Sequence, residues 1–534
     1  MNQTSSDALH VYDTTLRDGA QQEGLSLSVV DKLAIAGLLD ELGVGFIEGG
    51  WPGAIPKDTE FFRRAARDLN LKNASLAAFG ATRRPGSRAD ADPQVLALLE
   101  SQAPVVTLVA KSHLGHVERA LRTTAGENLA MVRDTVSFLV GEGRRVFLDA
   151  EHFFDGFTTD RDYALEVVRV AAEAGAEVVA LCDTNGGMLP TDVDLAVREV
   201  LESTGARLGI HCHNDTGCAV ANTIAAVDAG ATHVQGTLNG YGERTGNADL
   251  VTVVANLVLK KKMPVVAAEQ LSDATRIAHA VSELTNVAPY SRQPYVGASA
   301  FAHKAGLHAS AIRVDPDLYQ HTDPRAVGND MRMLVSDMAG RASIELKGKE
   351  LGYDLSDQPD VLSRVVERVK VLEAQGYTFE AADASFELLL IEEATGARPA
   401  YFDVESWRAI TEHRELPDGG SALSEATVKL VAGGRRVVAT GEGNGPVNAL
   451  DHALREALSS AYPELETMQL IDFRVRILDA AHGTDAVTRV LIETSDGESS
   501  WMTVGVGGNV VEASWQALVD GIVYGLRRQG VPRR

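Results

Sequence analysis

The stretch Ser28-Val-Val-Asp-Lys-Leu-Ala-Ile-Ala-Gly-Leu-Leu-Asp-Glu-Leu-Gly-Val-Gly-Phe-Ile-Glu-Gly-Gly50 carries the pattern that decides the fold. Ser28 followed by Asp31 is a helix start. Ile35, Leu38, Leu39 and Leu42 then recur at i, i+3, i+4 and i+7, the spacing of one apolar helix face. Gly43 stops the helix, and Phe46–Gly49 reads as a short buried strand. The same helix-to-strand punctuation returns as Glu173-Ala-Gly175-Ala and Asp228-Ala-Gly230-Ala. Outward from this unit, strands are expected at His10–Asp13, Phe46–Gly49, Ala74–Phe79, Val105–Ala110, Arg145–His152, Val178–Thr184, Arg207–Asn214 and His233–Asn239. Alternating strands and helices imply a parallel sheet, and eight units within about 250 residues match a closed (β/α)8 barrel. A doubly wound open sheet rarely needs eight consecutive units.

Residues 1–270 are therefore read as a TIM barrel. Residues 271–375 follow as helical, loop-rich subdomains punctuated by Pro289, Pro294, Pro316 and Pro324. Residues 376–534 read as a separate α+β domain, with strands expected at Ala384–Ile391 and Thr427–Val431. This tail repeats itself: Gly441-Glu-Gly-Asn-Gly-Pro-Val-Asn-Ala-Leu-Asp-His-Ala-Leu454 aligns with Gly505-Val-Gly-Gly-Asn-Val-Val-Glu-Ala-Ser-Trp-Gln-Ala-Leu518. Two copies of a strand–strand–strand–helix unit account for the repeat. Gly441-x-Gly443-x-Gly445 lacks the βαβ context and the acidic residue of a dinucleotide site. It is read as a turn before a helix.

The chain has 534 residues, 45% hydrophobic and 23% charged, with 50 Lys plus Arg against 74 Asp plus Glu, a formal charge of −24. Nucleic acid and anionic membranes both demand a basic face, so neither is an expected partner. Three cysteines exclude a disulfide framework and suit a reducing compartment. Met1–His10 has neither the basic nor the apolar region of a signal peptide, and no uncharged apolar run reaches the length of a spanning helix. A cytoplasmic location is expected. The basic pairs Arg63-Arg64 and Arg83-Arg84 and the run Lys260-Lys-Lys262 are read as solvated helix ends or loops.

In a barrel of this kind the chemistry gathers at the C-terminal strand ends. His211 and His213, two apart on a strand, point the same way, here inward, while Cys212 points into the barrel wall. Two inward imidazoles need partners, and a cation satisfies both. Asp18 after the first strand and Asn247 after the eighth add oxygens, completing an N2O2 set with two octahedral positions open. Such mixed donors suit Mg2+, Mn2+, Zn2+ or Fe2+ and do not choose among them.

Leu16-Arg-Asp-Gly-Ala-Gln21, with Lys32 beyond it, and Leu208-Gly-Ile-His-Cys-His-Asn-Asp-Thr-Gly-Cys-Ala-Val-Ala-Asn222 resemble the two signatures of the 2-isopropylmalate/homocitrate/citramalate synthase family. Gly49-Gly-Trp-Pro-Gly53, Pro56-Lys-Asp58, Ala78-Phe-Gly-Ala-Thr-Arg-Arg84, Asp149-Ala-Glu-His-Phe-Phe-Asp-Gly156 and Gln293-Pro-Tyr-Val-Gly-Ala-Ser-Ala-Phe-Ala-His-Lys304 are similar to its citramalate branch. The resemblance spans essentially the whole chain and implies condensation of acetyl-CoA with pyruvate, a bound divalent metal and a C-terminal regulatory domain sensing isoleucine. It implies a homodimer in which the segment after the barrel completes the partner's site. It further implies Arg17 as oxyanion or carboxylate partner, Thr184 and Gln21 as substrate-binding residues and Glu151 as orienting or enolising group. His303 is the implied base, with His308, five residues on, as the alternative and Tyr319 in the following segment as a further catalytic candidate. Trp51 and Phe153 are expected to crowd the pocket against larger oxo acids. Alternatives are a 2-isopropylmalate synthase, a two-histidine-one-carboxylate oxygenase, which the βα pattern disfavours, and a non-catalytic amino-acid sensor.

Overall fold

The computed structural model describes residues 9–414, 421–478 and 486–534. It divides into two compact units, one of residues 1–301 and 322–330, the other of residues 302–321 and 331–534.

The first unit is built on eight parallel strands: β1 (His10–Asp13), β2 (Phe46–Gly50), β3 (Ser75–Ala81), β4 (Val105–Lys111), β5 (Arg145–Glu151), β6 (Val178–Asp183), β7 (Leu208–Cys212) and β8 (His233–Gly236). They pair in chain order and close by β8 pairing with β1, His10 opposite His233. The expected helix runs from Val29 to Leu42 with a Ser28–Asp31 capping box, and left-handed Gly43 ends it. Strand periodicity sorts the core into two layers. Val11, Ile47, Val106, Leu148, Val179 and Val234 face outward and pack with the surrounding helices. Tyr12, Phe46, Ala77, Val105, Phe147 and Val178 fill the barrel near the strand starts. That aromatic plug closes the barrel at the strand starts and leaves the strand ends to form a cavity.

In the second unit the sequence repeat is a structural one. Strands β9 (Phe402–Arg414), β10 (Ser421–Ala432) and β11 (Arg435–Gly443) form an antiparallel sheet followed by the helix Pro446–Ser459. Strands β12 (Gln469–Ile477), β13 (Thr488–Ser495) and β14 (Ser500–Gly507) repeat it before the helix Val510–Arg528. The matched glycines have a steric cause: a Cβ on Gly441 would lie 2.4 Å from the Ala453 nitrogen, and one on Gly505 would lie 1.9 Å from the Ala513 oxygen. Helix and sheet touch there through backbone, which is a packing role.

One expected strand is a helix. Ala384–Ile391 lies within the helix Asp383–Thr395, whose Phe386, Leu388, Leu389, Leu390 and Ile391 are all buried. A helix enclosed on most sides loses its amphipathic period, and a short apolar run then looks like a buried strand. Among the described residues no helix is long and apolar enough to cross a membrane.

Candidate active site

The strand ends of the barrel open into a cavity of about 520 Å3 whose lining includes Arg17, Asp18, Gln21, Glu151, Thr184, His211 and His213. Asp18, His211 and His213 are all buried and offer ligand atoms within 4.8 Å of one another. Asp18 Oδ2 lies 3.1 Å from His211 Nε2 and 3.8 Å from His213 Nε2. His211 is oriented from behind, its Nδ1 lying 2.9 Å from Gln235 Oε1, while Gln235 Nε2 donates to Asp149 Oδ1 at 2.8 Å. His213 lies just past the end of β7 and is held by a bridge to Asn247.

A cation fits this site on two counts. The Asn247 Oδ1 atom is buried without a hydrogen-bond partner, its Nδ2 being engaged by the Tyr241 carbonyl at 3.0 Å. Asp18, Glu48 and Asp149 are moreover buried carboxylates that share one half-buried guanidinium, Arg17. Charges placed in a low-dielectric interior need compensation. Burial pushes the Asp149 carboxyl up to about 6, with Glu48 adding to the effect. Burial also opposes ionisation of Asp18, but Arg17, His211 and His213 outweigh it and hold that carboxyl well below the usual range. Burial, with His211 beside it, lowers His213 to about 4, so its imidazole is neutral and ligand-competent at pH 7.

Arg17 pairs with two acids, Asp18 and Glu48. Its Nε donates to Glu48 Oε2 at 2.5 Å, its NH1 lies 3.4 Å from Asp18 Oδ2, and its guanidinium carbon sits 3.9 Å from the Phe79 ring centroid. Glu48 is in turn anchored by the Tyr12 hydroxyl at 2.7 Å. The guanidinium is thus fixed before any substrate arrives. Thr184 Oγ1 accepts the His152 amide at 2.9 Å, which leaves the hydroxyl hydrogen for another acceptor. Glu151 pairs with Lys111, a partner the sequence reading did not single out.

Phe153 does not line the cavity: it is fully buried and stacks on Phe157 at 5.5 Å, because left-handed His152 (φ 57°) turns the chain into the helix Phe153–Thr159. Trp51 and Phe79 supply aromatic lining instead. Arg83 is also not solvated: it is buried and bonded to Glu127 at 2.7 Å and Asp134 at 2.8 Å, where the loop after β3 meets the helix Ala125–Gly141. Cys182 lines the cavity but is buried and lies 3.7 Å from the Ala180 carbonyl; burial pushes its thiol far up, so it is a packed, inert group.

The expected site residues beyond the barrel, His303, His308 and Tyr319, belong to the second unit. There the His303 and His308 rings lie 6.1 Å apart, and His308 stacks on Tyr319 at 4.1 Å. His303 Nε2 is buried without a partner, and burial together with His308 lowers the pKa of its ring. The three residues named from the sequence stand together.

Comparison with known proteins gives three family matches: HMGL-like over residues 8–281, homocitrate synthase post-HMGL domain-like over 295–377, and LeuA allosteric (dimerisation) domain over 380–526. An (R)-citramalate synthase of Streptomyces coelicolor is 66% identical over 98% of this chain and 98% of its own length. One from Synechocystis sp. is 48% identical over 98% of this chain and 97% of its own. A 2-isopropylmalate synthase of Methanocaldococcus jannaschii is 30% identical over 97% and 94%.

Proposed function

The chain belongs to the (R)-citramalate synthase family, and from that premise we propose how its residues carry out the condensation of acetyl-CoA with pyruvate to (R)-citramalate and CoA. The observation that carries the reading is the convergence of two imidazoles and a carboxylate beside an immobilised arginine in one cavity. A divalent cation held by Asp18, His211, His213 and Asn247 would supply Lewis-acid polarisation of the 2-oxo group.

Thr184 donates its hydroxyl hydrogen to the pyruvate carboxylate, and Gln21 closes the same end of the pocket. Arg17 stabilises the oxygen that gains charge as the new carbon–carbon bond forms, a role suited to a donor pinned in advance by Glu48 and Phe79. A histidine, His303 or His308, takes a proton from the acetyl methyl group, with Tyr319 beside it. Glu151 orients the acetyl group. The methyl carbon bonds to C2 of pyruvate, and the former keto oxygen acquires a proton. Water then adds to the thioester carbonyl, the carbon–sulfur bond breaks, and CoA leaves as its thiol.

The LeuA allosteric (dimerisation) domain carries dimerisation and allosteric regulation in this family. For this chain we take the assembly to be a homodimer, with the 302–321 segment completing the partner's site, working in the cytoplasm on the pyruvate route to isoleucine. Isoleucine is its feedback effector. A cavity of about 660 Å3 at the start of the helix Pro446–Ser459, with Leu470 and Phe473 in its wall, offers room for an aliphatic amino acid.

The test is thiol release from acetyl-CoA with Mn2+, run in parallel with pyruvate, 2-oxobutyrate, 2-oxoisovalerate and 2-oxoglutarate. Preference for pyruvate, abolished by EDTA, is expected. Preference for 2-oxoisovalerate would overturn the substrate and retain the chemistry.

A further inference from the structure

The loop after β8 carries an arginine that the mechanism above does not use. Arg244 donates from Nε to Asp215 Oδ1 at 2.8 Å and from NH2 to Asp215 Oδ2 at 2.9 Å. The same NH2 donates to the Thr184 carbonyl at 2.8 Å. One side chain therefore ties together the ends of β6, β7 and β8.

Its backbone is left-handed, with φ at 56°. Residues with a Cβ rarely adopt that conformation, and where they do the surroundings impose it. Here the surroundings are a tight stack of turns. The Gly246 carbonyl accepts the Asn214 amide at 2.9 Å, and the Gly186 carbonyl accepts the Thr216 amide at 3.0 Å. Gly246 leaves no room for a side chain, since a Cβ there would lie 1.9 Å from the Gly240 oxygen. An exposed ion pair alone is worth little. A forked guanidinium that holds a carboxylate through two nitrogens and a carbonyl besides, at the edge of the cavity, is a different object.

The residues on either side of this clamp give it meaning. Thr184 is the hydroxyl assigned to the substrate carboxylate, His213 stands two residues before Asp215, and Asn247 stands three after Arg244. We propose that Arg244 is a positioning residue that fixes the spacing between the carboxylate-binding end of β6 and the cation-binding ends of β7 and β8. A 2-oxo acid must span both ends at once, its carboxylate at one and its keto oxygen at the other. Slack in the clamp degrades capture of the oxo acid and leaves acetyl-CoA binding alone. The inference rests on the condensation proposed above.

The experiment compares the full-length wild-type enzyme with Arg244→Gly, Arg244→Lys, Asp215→Ala and the Arg244→Gly/Asp215→Ala double variant. Glycine suits a positive φ, so that substitution removes the side chain without straining the turn. Steady-state thiol release gives KM for pyruvate and for acetyl-CoA separately. Calorimetric titration of pyruvate into Mn2+-loaded enzyme, without acetyl-CoA, gives binding in the absence of turnover. Arg244→Gly is expected to raise both the pyruvate KM and its dissociation constant by about 10- to 100-fold, the scale of a lost charged hydrogen bond. The acetyl-CoA KM should stay within about threefold, and the double variant should be no worse than the worse single one. Lysine keeps the charge but not the fork, and should recover only part of the loss.

A pyruvate KM and dissociation constant within about threefold of wild type in Arg244→Gly would overturn the proposal, as would fully multiplicative effects of the two single variants. Should Arg244→Gly fail to fold, Asp215→Ala carries the same expectation from the other side of the clamp. Absence of thiol release from the wild type with every oxo acid would instead overturn the condensation itself.

Discussion

Two histidine pairs stand at opposite ends of the same barrel. At the strand ends the His211 and His213 rings are 5.3 Å apart and tilted by 55°; at the strand starts the His10 and His233 rings are 5.6 Å apart and tilted by 74°. Ring geometry hardly separates them. Their surroundings do. The upper pair faces the Asp18 carboxylate in an open cavity, and His213 is bridged to Asn247, whose side-chain oxygen is buried without a partner. The lower pair lies among the rings of Phe46, Phe147 and Tyr12. Arg145 and Arg207 stand close enough to oppose its protonation. Imidazoles in an anionic cleft are ligands in waiting, and imidazoles in a cationic, aromatic plug are neutral packing groups.

The sharpest way to break this contrast is to remove one histidine from each pair. His213→Ala should abolish Mn2+ binding by calorimetry and cut thiol release by about three orders of magnitude or more, the scale of losing cation assistance. Retained stoichiometric Mn2+ would discard the proposed donor set. Arg17→Ala comes next, with kcat expected to fall about 10²- to 10³-fold while Mn2+ is still bound. A near-normal kcat in that variant would remove Arg17 from the chemistry. Gln235→Leu acts one step back: it frees His211 Nδ1 and strands Asp149, and the expected cost is about 10- to 100-fold in Mn2+ affinity. Unchanged affinity would show that His211 needs no orienting partner.

Which parts of this contrast were legible in the sequence follows from how local they are. The eight strands were, because each is a run bounded by a helix with its own period and stop, as Ser28–Gly43 is. His211 and His213 were, because a spacing of two on a strand fixes their shared direction. Lys111, Gln235 and Arg244 were not. Each is a single residue whose partner lies on another strand end: His211–Gln235 is 24 residues apart, Lys111–Glu151 is 40 and Thr184–Arg244 is 60. Nothing in spacing announces such pairs before barrel closure sets the register. Phe153 misled for a related reason. Its position after β5 promised the pocket, but the left-handed turn at His152 sends it into the core.

The lower pair yields the smallest effect, and one of opposite character, on stability alone. Burial, with Arg207 next in weight, lowers His10 to about 4, and burial likewise holds the fully enclosed His233 well below the ordinary histidine range. An unfolded histidine titrates near pH 6.5. Between about pH 6.5 and pH 4 the unfolded chain therefore binds protons that the folded chain refuses, so stability must fall as the pH falls through that window. His10 remains partly accessible, which discounts its share to about 2 kcal/mol. His10→Gln removes the titrating ring, and its urea midpoint should lose less than the wild type's between pH 7 and pH 4.5. Mn2+ affinity at pH 7 should not change, since the plug separates His10 from the cavity. Equal acid sensitivity in the two proteins would mean that His10 binds protons alike in the folded and the unfolded chain. The Arg145 and Arg207 charges would then not govern that ring, and the two ends of the barrel would differ in access alone.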